Sequence, residues 1–318
     1  MDRPLVEAVN LCKYFKTPKG QLHAVEDVNF KIYEGKTLGI VGESGCGKST
    51  LGRTVLRLHQ ATSGQVLYEG EDILKYSKRD MHKVQRNMQM IFQDPYSSLD
   101  PRMSIRALIS EPLEVLNKKN ELSSAQLKER VDHIMDMCGL PSHYSNLYPH
   151  ELDGGMRQRV GLARSMILDP KFIVCDEPVS ALDVSIQAQI LNLLMDLQDS
   201  HKLSYMFITH DLAVVKHISD DIMVMYMGQV VEYTSSRELF ANPIHPYTKA
   251  LLNSIPTIDL SRRNRERVTI SGEVSSPINP ASGCRFAPRC PYASEKCKEG
   301  HCLKEVKPGH FVSCTEGN

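Results

Sequence analysis

The chain has 318 residues, and its 38 Lys plus Arg are matched by 38 Asp plus Glu, so no global field draws it toward nucleic acid or an anionic membrane surface. That length suits one large or two modest domains with a sizeable core. No run of about 18 apolar residues is present and Met1–Asn10 lacks an apolar signal core, so neither a membrane span nor secretion by that route is expected, and a cytosolic setting follows.

Taken in order, Leu5–Leu11 reads as a strand and Lys13–Gly20 as a polar, Pro/Gly-containing loop carrying Tyr14 and Phe15. An aromatic in such a loop can stack on an adenine ring or simply cover a core edge. Ala24–Ile32 alternates apolar with polar residues, as a half-buried strand does. The apolar run Leu38–Val41 then leads into GESGCGKST at Gly42–Thr50. Gly42, Gly45 and Gly47 permit backbone geometry that side chains forbid. Successive N–H groups across the stretch, including Ser44, Cys46 and Thr50, can therefore turn inward toward phosphate oxygens at a helix N-terminus. Lys48 adds a mobile positive charge for the β- and γ-phosphates, and the Ser49 hydroxyl can ligate Mg²⁺.

Thr50–Leu58 continues as a helix, Gln65–Tyr68 as a short strand, and Met88–Phe92 as an apolar strand ending at Gln93. At the C-terminal edge of a sheet the Gln93 amide can reach Mg²⁺ or an attacking water, or it can be a solvated loop residue. From Pro95 to about Asp169 strand signals disappear, and Ser104–Val115 and Ser123–Cys138 read as helices of a helical insertion. Asp153 begins another helix with Gly154 and Gly155 at its open end; these glycines either admit a phosphate or only turn the chain, with Asp153 as an ordinary N-cap. Lys171–Cys175 returns to strand and ends in Asp176-Glu177-Pro178. An acidic pair at the end of a buried strand is costly unless it has a task. Asp176 can hold Mg²⁺ through water while Glu177 polarises the water that attacks a γ-phosphate. Ser204–Thr209 is a further strand ending at His210, whose neutral ring can hydrogen-bond that phosphate or rest as a satisfied surface histidine.

Ile222–Met227 and Val230–Tyr233, joined at Gly228, read as a hairpin, and a short helix starts at Ser236. Ser261–Pro280 turns basic and then Gly/Ser/Pro-rich, as a linker does. Of nine cysteines, Cys284, Cys290, Cys297, Cys302 and Cys314 all fall after Gly283, the first three at C-x5-C-x6-C. Four thiolates from a small loop-rich tail suit zinc or an iron-sulfur cluster, with free buried thiols as the alternative. Cys12, Cys46, Cys138 and Cys175 read as structural.

In this order Gly42–Thr50, Gln93, Leu152–Met156, Phe172–Glu177, Ser180–Asp183 and His210 resemble the ATP-binding subunit of an ABC transporter, over most of residues 5 to 255. The resemblance makes these the Walker A loop, Q-loop, signature, Walker B strand with catalytic Glu177, D-loop and switch histidine, with Tyr14 as the adenine-stacking aromatic. It implies an α/β P-loop ATPase core with an antiparallel β subdomain, spanning residues 1–255 with a helical subdomain at about 95–169, and a C-terminal extension at 256–318. It also implies two such subunits closing head to tail, each ATP with its Mg²⁺ lying between one Walker A and the other signature. The family signature is usually LSGGQ, whereas this chain has Leu152-Asp153-Gly154-Gly155-Met156. A carboxylate in place of that serine meets like charge on the γ-phosphate. The site using Asp153 is therefore expected to be impaired, which favours a paralogous ATP-binding subunit as partner over a second copy.

The stretch Asn242-Pro243-Ile244-His245-Pro246-Tyr247-Thr248 resembles the C-terminal extension of oligopeptide and dipeptide transporter ATPases. This implies ATP-driven peptide import from an external binding protein through two transmembrane permease subunits, at the cytoplasmic face of the membrane, with nickel or another small solute as the alternative cargo. CRFAPRCPYASEKC and GHFVSC resemble the tail that carries a 4Fe-4S cluster in some of these ATPases, matched at Cys284, Cys290, Cys297 and Cys314, with Cys302 as an extra and Zn²⁺ as the alternative. A soluble ABC ATPase of translation or DNA repair commonly fuses two halves or inserts a coiled coil, and this chain has one phosphate loop and no long heptad stretch. A metal-binding regulatory protein would leave the nucleotide motifs idle.

Overall fold

The computed structural model describes residues 3–116, 122–254, 276–299 and 302–314. They form two compact units, Met1–Lys75 with Met206–Asn318, and Tyr76–Tyr205. The basic part of the expected linker, residues 261–275, lies outside the described residues.

The first unit opens with two long antiparallel strands, β1 (Val6–Thr17) and β2 (Gly20–Ile32). The loop expected at Lys13–Gly20 is mostly strand, because Lys13–Thr17 pair across to Val25–Gly20 and only Pro18 and Lys19 turn. Both faces of the pair are partly exposed there, so the sequence lacks the apolar alternation that marks a strand. The fully buried β3 (Thr37–Val41) runs into the glycine loop and α1 (Lys48–Val55), and β4 (Ser63–Tyr68) with the short β5 (Glu71–Asp72) follows.

The second unit holds α2 (Lys78–Asn87), β6 (Met88–Ile91), α3 (Pro95–Ser98), α4 (Ile105–Leu116), α5 (Ser124–Met137), α6 (Gly154–Met166), β7 (Phe172–Asp176) and α7 (Val184–His201). Ser123 and Gln126 cap α5 with a reciprocal pair of side-chain bonds, so the start of that helix is fixed locally. Ile105, Leu108 and Ile109 of α4, Val131, Ile134 and Met135 of α5 and Val160, Leu162 and Ala163 of α6 make its helical core. The arginines of α6 stitch this core together: Arg157 Nε donates to the Pro149 carbonyl at 2.8 Å, Arg159 to that of Cys138 at 2.9 Å, and Arg164 to that of Ser98 at 2.9 Å. Strands β6 and β7 lie parallel, Met88 opposite Phe172 and Ile91 opposite Cys175.

Within β8 (Ser204–Ile208) the chain returns to the first unit, and α8 (Leu212–Ile218), β9 (Asp221–Tyr226), β10 (Gln229–Ser235), α9 (Ser236–Ala241) and α10 (Pro246–Asn253) follow. Two further strands in the tail, β11 (Lys304–Lys307) and β12 (His310–Val312), carry no readable sequence signal because each is only a few residues long. In this unit β2-β1-β4-β5 form one antiparallel sheet, and β11-β12-β10-β9-β3-β8 follow one another in a second, in which β3 pairs parallel with β9. The tail joins this sheet edge through β12 on β10.

One carboxylate ties that junction. Glu232 of β10 is wholly buried and accepts the N–H groups of Ile244 at 2.8 Å and His245 at 3.0 Å, while His310 Nε2 of β12 lies 2.8 Å from it. A buried charge is tolerated when its lone pairs are filled in this way. Glu232→Ala is expected to destabilise the first unit by about 3–5 kcal/mol, read as a fall in the chemical denaturation midpoint together with early proteolytic release of the tail.

Candidate nucleotide site

The glycine loop has the geometry its composition predicts. Gly42, Gly45 and Gly47 all have φ in the left-handed region, at 155°, 76° and 105°, where a side chain is strained. At Gly47 the reason is also steric, because a Cβ would run into the Ala24 carbonyl of β2. At Gly45 nothing lies within 4 Å of the Cβ position, so the loop is open on that side. Leu51 N–H already bonds the Gly47 carbonyl at 2.9 Å, which starts α1 and leaves the preceding amides at its N-terminus. Lys48 is 4% exposed, and its Nζ donates to the carbonyls of Gly42 at 2.8 Å and Glu43 at 3.0 Å. A glycine loop at a helix N-terminus with a caged ammonium fits an anionic phosphate chain. Burial pushes the Cys46 thiol up despite the nearby Lys48, in keeping with a packing role for its side chain.

Tyr14 lies on β1 rather than in a loop. One face of its ring stacks on His23 with centroids 4.0 Å apart, and its hydroxyl reaches Glu26 Oε1 at 3.1 Å. Burial, helped by Cys12, pushes the phenol up to about 12. His210 follows β8 as an exposed residue, next to Asp211, whose Oδ1 accepts the Ala213 N–H at 2.8 Å and caps α8.

In the second unit Gln93 and Glu177 meet directly, the Gln93 Nε2 donating to Glu177 Oε2 at 3.0 Å. Asp176, the last residue of β7, is fully buried. Glu177 has φ 47°, a left-handed conformation for a residue with a long side chain. Such strain costs on the order of 1 kcal/mol or more and persists where a side chain must be aimed. Asp153 caps α6, its Oδ1 accepting the Met156 N–H at 2.8 Å, and a Cβ on Gly155 would stand 2.7 Å from Ile186 Cγ2. Gly155 is thus required by packing against α7, as well as by any ligand that approaches the helix start.

The tail cysteines are near one another without forming a ready single-ion site. Burial pushes Cys284 and Cys290 up, and the thiols of Cys297 and Cys314 add to the rise in both. Cys284 N–H also bonds the Cys297 carbonyl at 2.8 Å. Among the described residues no three His, Cys, Asp or Glu side chains are gathered tightly enough to share one metal ion. Cys302 is exposed.

Sequence reasoning missed Arg285 and Arg289, which lie between Cys284 and Cys290 and reach residues far back in the chain. Arg289 forms a two-toothed ion pair with Glu43 of the glycine loop, at 2.8 and 3.2 Å. No local pattern marks a partner more than two hundred residues away.

Residues 25–180 match the ABC transporter family, and residues 231–297 match the C-terminal region of oligopeptide/dipeptide transporters. The oligopeptide transport ATP-binding protein AppF of Bacillus subtilis is 49% identical over 303 residues, covering 94% of this chain and 91% of its own. OppF of Salmonella typhimurium, an oligopeptide transport ATP-binding protein, is 50% identical over 95% of this chain and 90% of its own. The dipeptide transport ATP-binding protein DppF of Haemophilus influenzae is 46% identical over 98% of this chain and 97% of its own. Among solved structures, cbiO1 from Clostridium perfringens, part of the ABC transporter complex cbiONQ, superposes with a TM-score of 0.67 at 27% identity, over 76% of this chain and 92% of its own. A dimer of the ATP-binding cassette MJ0796 with ADP and Pi gives the same TM-score over 73% of this chain and 99% of its own. The chain therefore belongs to the ATP-binding proteins of the ABC transporter family, with their α/β ATPase fold. Within that family it is a member of the oligopeptide/dipeptide transport branch.

Proposed function

We propose that this chain hydrolyses ATP to power import of oligopeptides or dipeptides, working at the cytoplasmic face of the membrane against two transmembrane permease subunits fed by an external binding protein. What carries the reading is one chain holding both the loop around Lys48 and the peptide-transporter C-terminal region at 231–297. No helix among the described residues is long and apolar enough to cross a membrane, so the passage itself falls to other subunits. In this reading the amides of Gly42, Ser44, Gly45, Cys46, Gly47 and Thr50 receive the phosphates, Lys48 exchanges its carbonyl partners for phosphate oxygens, and Tyr14 stacks on the adenine. Mg²⁺, when bound, offsets phosphate charge, and Ser49, Gln93 and Asp176 are the residues to hold it. Glu177 polarises the attacking water, with the Gln93 amide fixing its carboxylate, and His210 bonds the γ-phosphate. Residues 95–169 act as the helical subdomain that receives the permeases, in a domain ending near residue 255. Glu177→Gln is expected to lower ATP turnover by about 100-fold or more while ATP still binds, and ATP-driven peptide uptake by vesicles holding the assembled transporter should stop with it. Uptake of Ni²⁺ without peptide would move the assignment to the nickel alternative.

The partner is a paralogous ATP-binding subunit, because Asp153 puts a carboxylate where the family's serine meets the γ-phosphate. The site completed by Gly154 and Gly155 is the weaker of two, and this chain's own Lys48 and Glu177 serve the stronger. Asp153→Ser in the reconstituted complex is expected to raise ATPase, and an unchanged rate would count against the asymmetry. Ser and Asp cap helices about equally, so stability should move by less than about 0.5 kcal/mol.

Cys284, Cys290, Cys297 and Cys314 hold a 4Fe-4S cluster in this reading. Each thiolate of such a cluster binds its own iron, so the ligands stand further apart than around one zinc. The Cys284 N–H bond to the Cys297 carbonyl brings two of the four together and supports the reading, while no group able to hold a metal ion forms among the described residues. Anaerobic purification is expected to give about four irons with sulfide per chain. One zinc and no colour would replace the cluster by a zinc module.

A further inference from the structure

The cysteine loop does more than close the tail. Arg289 has its side chain 8% exposed and grips both carboxylate oxygens of Glu43, the second residue of the glycine loop. The planar fork of arginine matches a carboxylate in this way, and the same group lies over the Tyr226 ring with Cζ 5.8 Å from its centre. Glu43 is held at two further points: its N–H donates to the hydroxyl of buried Tyr247 at 2.8 Å, and its carbonyl accepts Lys48 Nζ at 3.0 Å. Phe286, between the two arginines, is 2% exposed and packs on Tyr226 and Tyr247 with centroids 5.2 and 5.3 Å away. On the other side of the loop Arg285 bonds the Met227 carbonyl and Glu26, and Glu26 in turn accepts from the Tyr14 hydroxyl and lies 2.9 Å from His23 Nδ1. Two side chains of one five-residue span thus reach both the phosphate end and the aromatic end of the expected site.

We propose that Arg289 and Tyr247 are positioning residues for nucleotide binding, which set the glycine loop through Glu43 and neutralise the Glu43 carboxylate beside the incoming phosphates. The inference rests on the reading of Gly42–Thr50 as an ATP site. A free carboxylate in a loop built for an anionic ligand repels it, and Arg289 removes that repulsion while fixing the backbone that carries Lys48. The charge argument makes a demand that simple packing does not. Removing Glu43's charge should undo the harm of removing Arg289.

The test is titration of the full-length chain with Mg-ATP by calorimetry, with a urea midpoint measured on each variant. Arg289→Ala is expected to weaken ATP binding about tenfold, and Arg289→Ala with Glu43→Gln to recover most of that loss, while Arg289→Lys falls between. Tyr247→Phe deletes one hydrogen-bonding oxygen from the same residue and should weaken binding a few-fold, which keeps the test open should Arg289→Ala fail to fold. Binding within about twofold of wild type in both Arg289→Ala and Tyr247→Phe, or no recovery in the double variant, would overturn the proposal. Lys48→Ala separates the two readings: if it still binds ATP as wild type does, the nucleotide site itself is misplaced, whereas its loss alongside an unaffected Arg289→Ala sinks only the brace.

Discussion

The structure of the first unit turns on a buried ammonium. Lys48 carries its charge into the interior and bonds two carbonyl oxygens of its own loop. Carbonyl dipoles offset only part of what an ammonium loses on leaving water, so the fold leaves Lys48 suited to an anionic partner. Holding such a loop open requires rigid walls. Strand β3 stands behind it with every residue buried, the Ala24 carbonyl presses where Gly47 has no side chain, and the Gly228 N–H bonds the Cys46 carbonyl at 2.8 Å. The hairpin of β9 and β10, which looks peripheral in sequence, is thereby part of the loop's support.

The second unit follows the same logic with opposite charge. Its carboxylates gather at the end of β7, where Asp176 is buried and Glu177 sits in a backbone region that costs energy for any residue but glycine. Local preference is overruled there, and such conflicts concentrate where a side chain has a task. The Gln93 amide, arriving from the end of β6, fixes the orientation that the strained backbone begins.

Most of the core was legible because its signals are local. Glycines at turns, the apolar run of β3, the capping residues Ser123 and Asp153 and the acidic pair after β7 each announce themselves within a few residues. Lys13–Thr17 misled for a physical reason: a strand pair partly exposed on both faces has no apolar period to read, so its polar residues looked like a loop. Helix α7 was not among the expected elements, although Ile190, Leu191, Leu194 and Leu197 give it a buried stripe. What could not be read at all was pairing at long range. Glu43 with Arg289, Glu26 with Arg285 and Glu232 with His310 each join residues whose neighbours in sequence say nothing of one another.

That long-range construction has a consequence in time. The first unit is discontinuous, its two parts separated by the whole of Tyr76–Tyr205. A ribosome adding about 5–20 residues per second delivers β9 roughly 10 to 40 seconds after β3, its parallel neighbour, has emerged, and the arginines of the tail later still. The contiguous second unit has all its strands and helices within that interval. The glycine loop near the start of the chain must therefore wait, half-walled, for the last residues to be made, and a truncated product would carry the loop's sequence without the walls that hold it open.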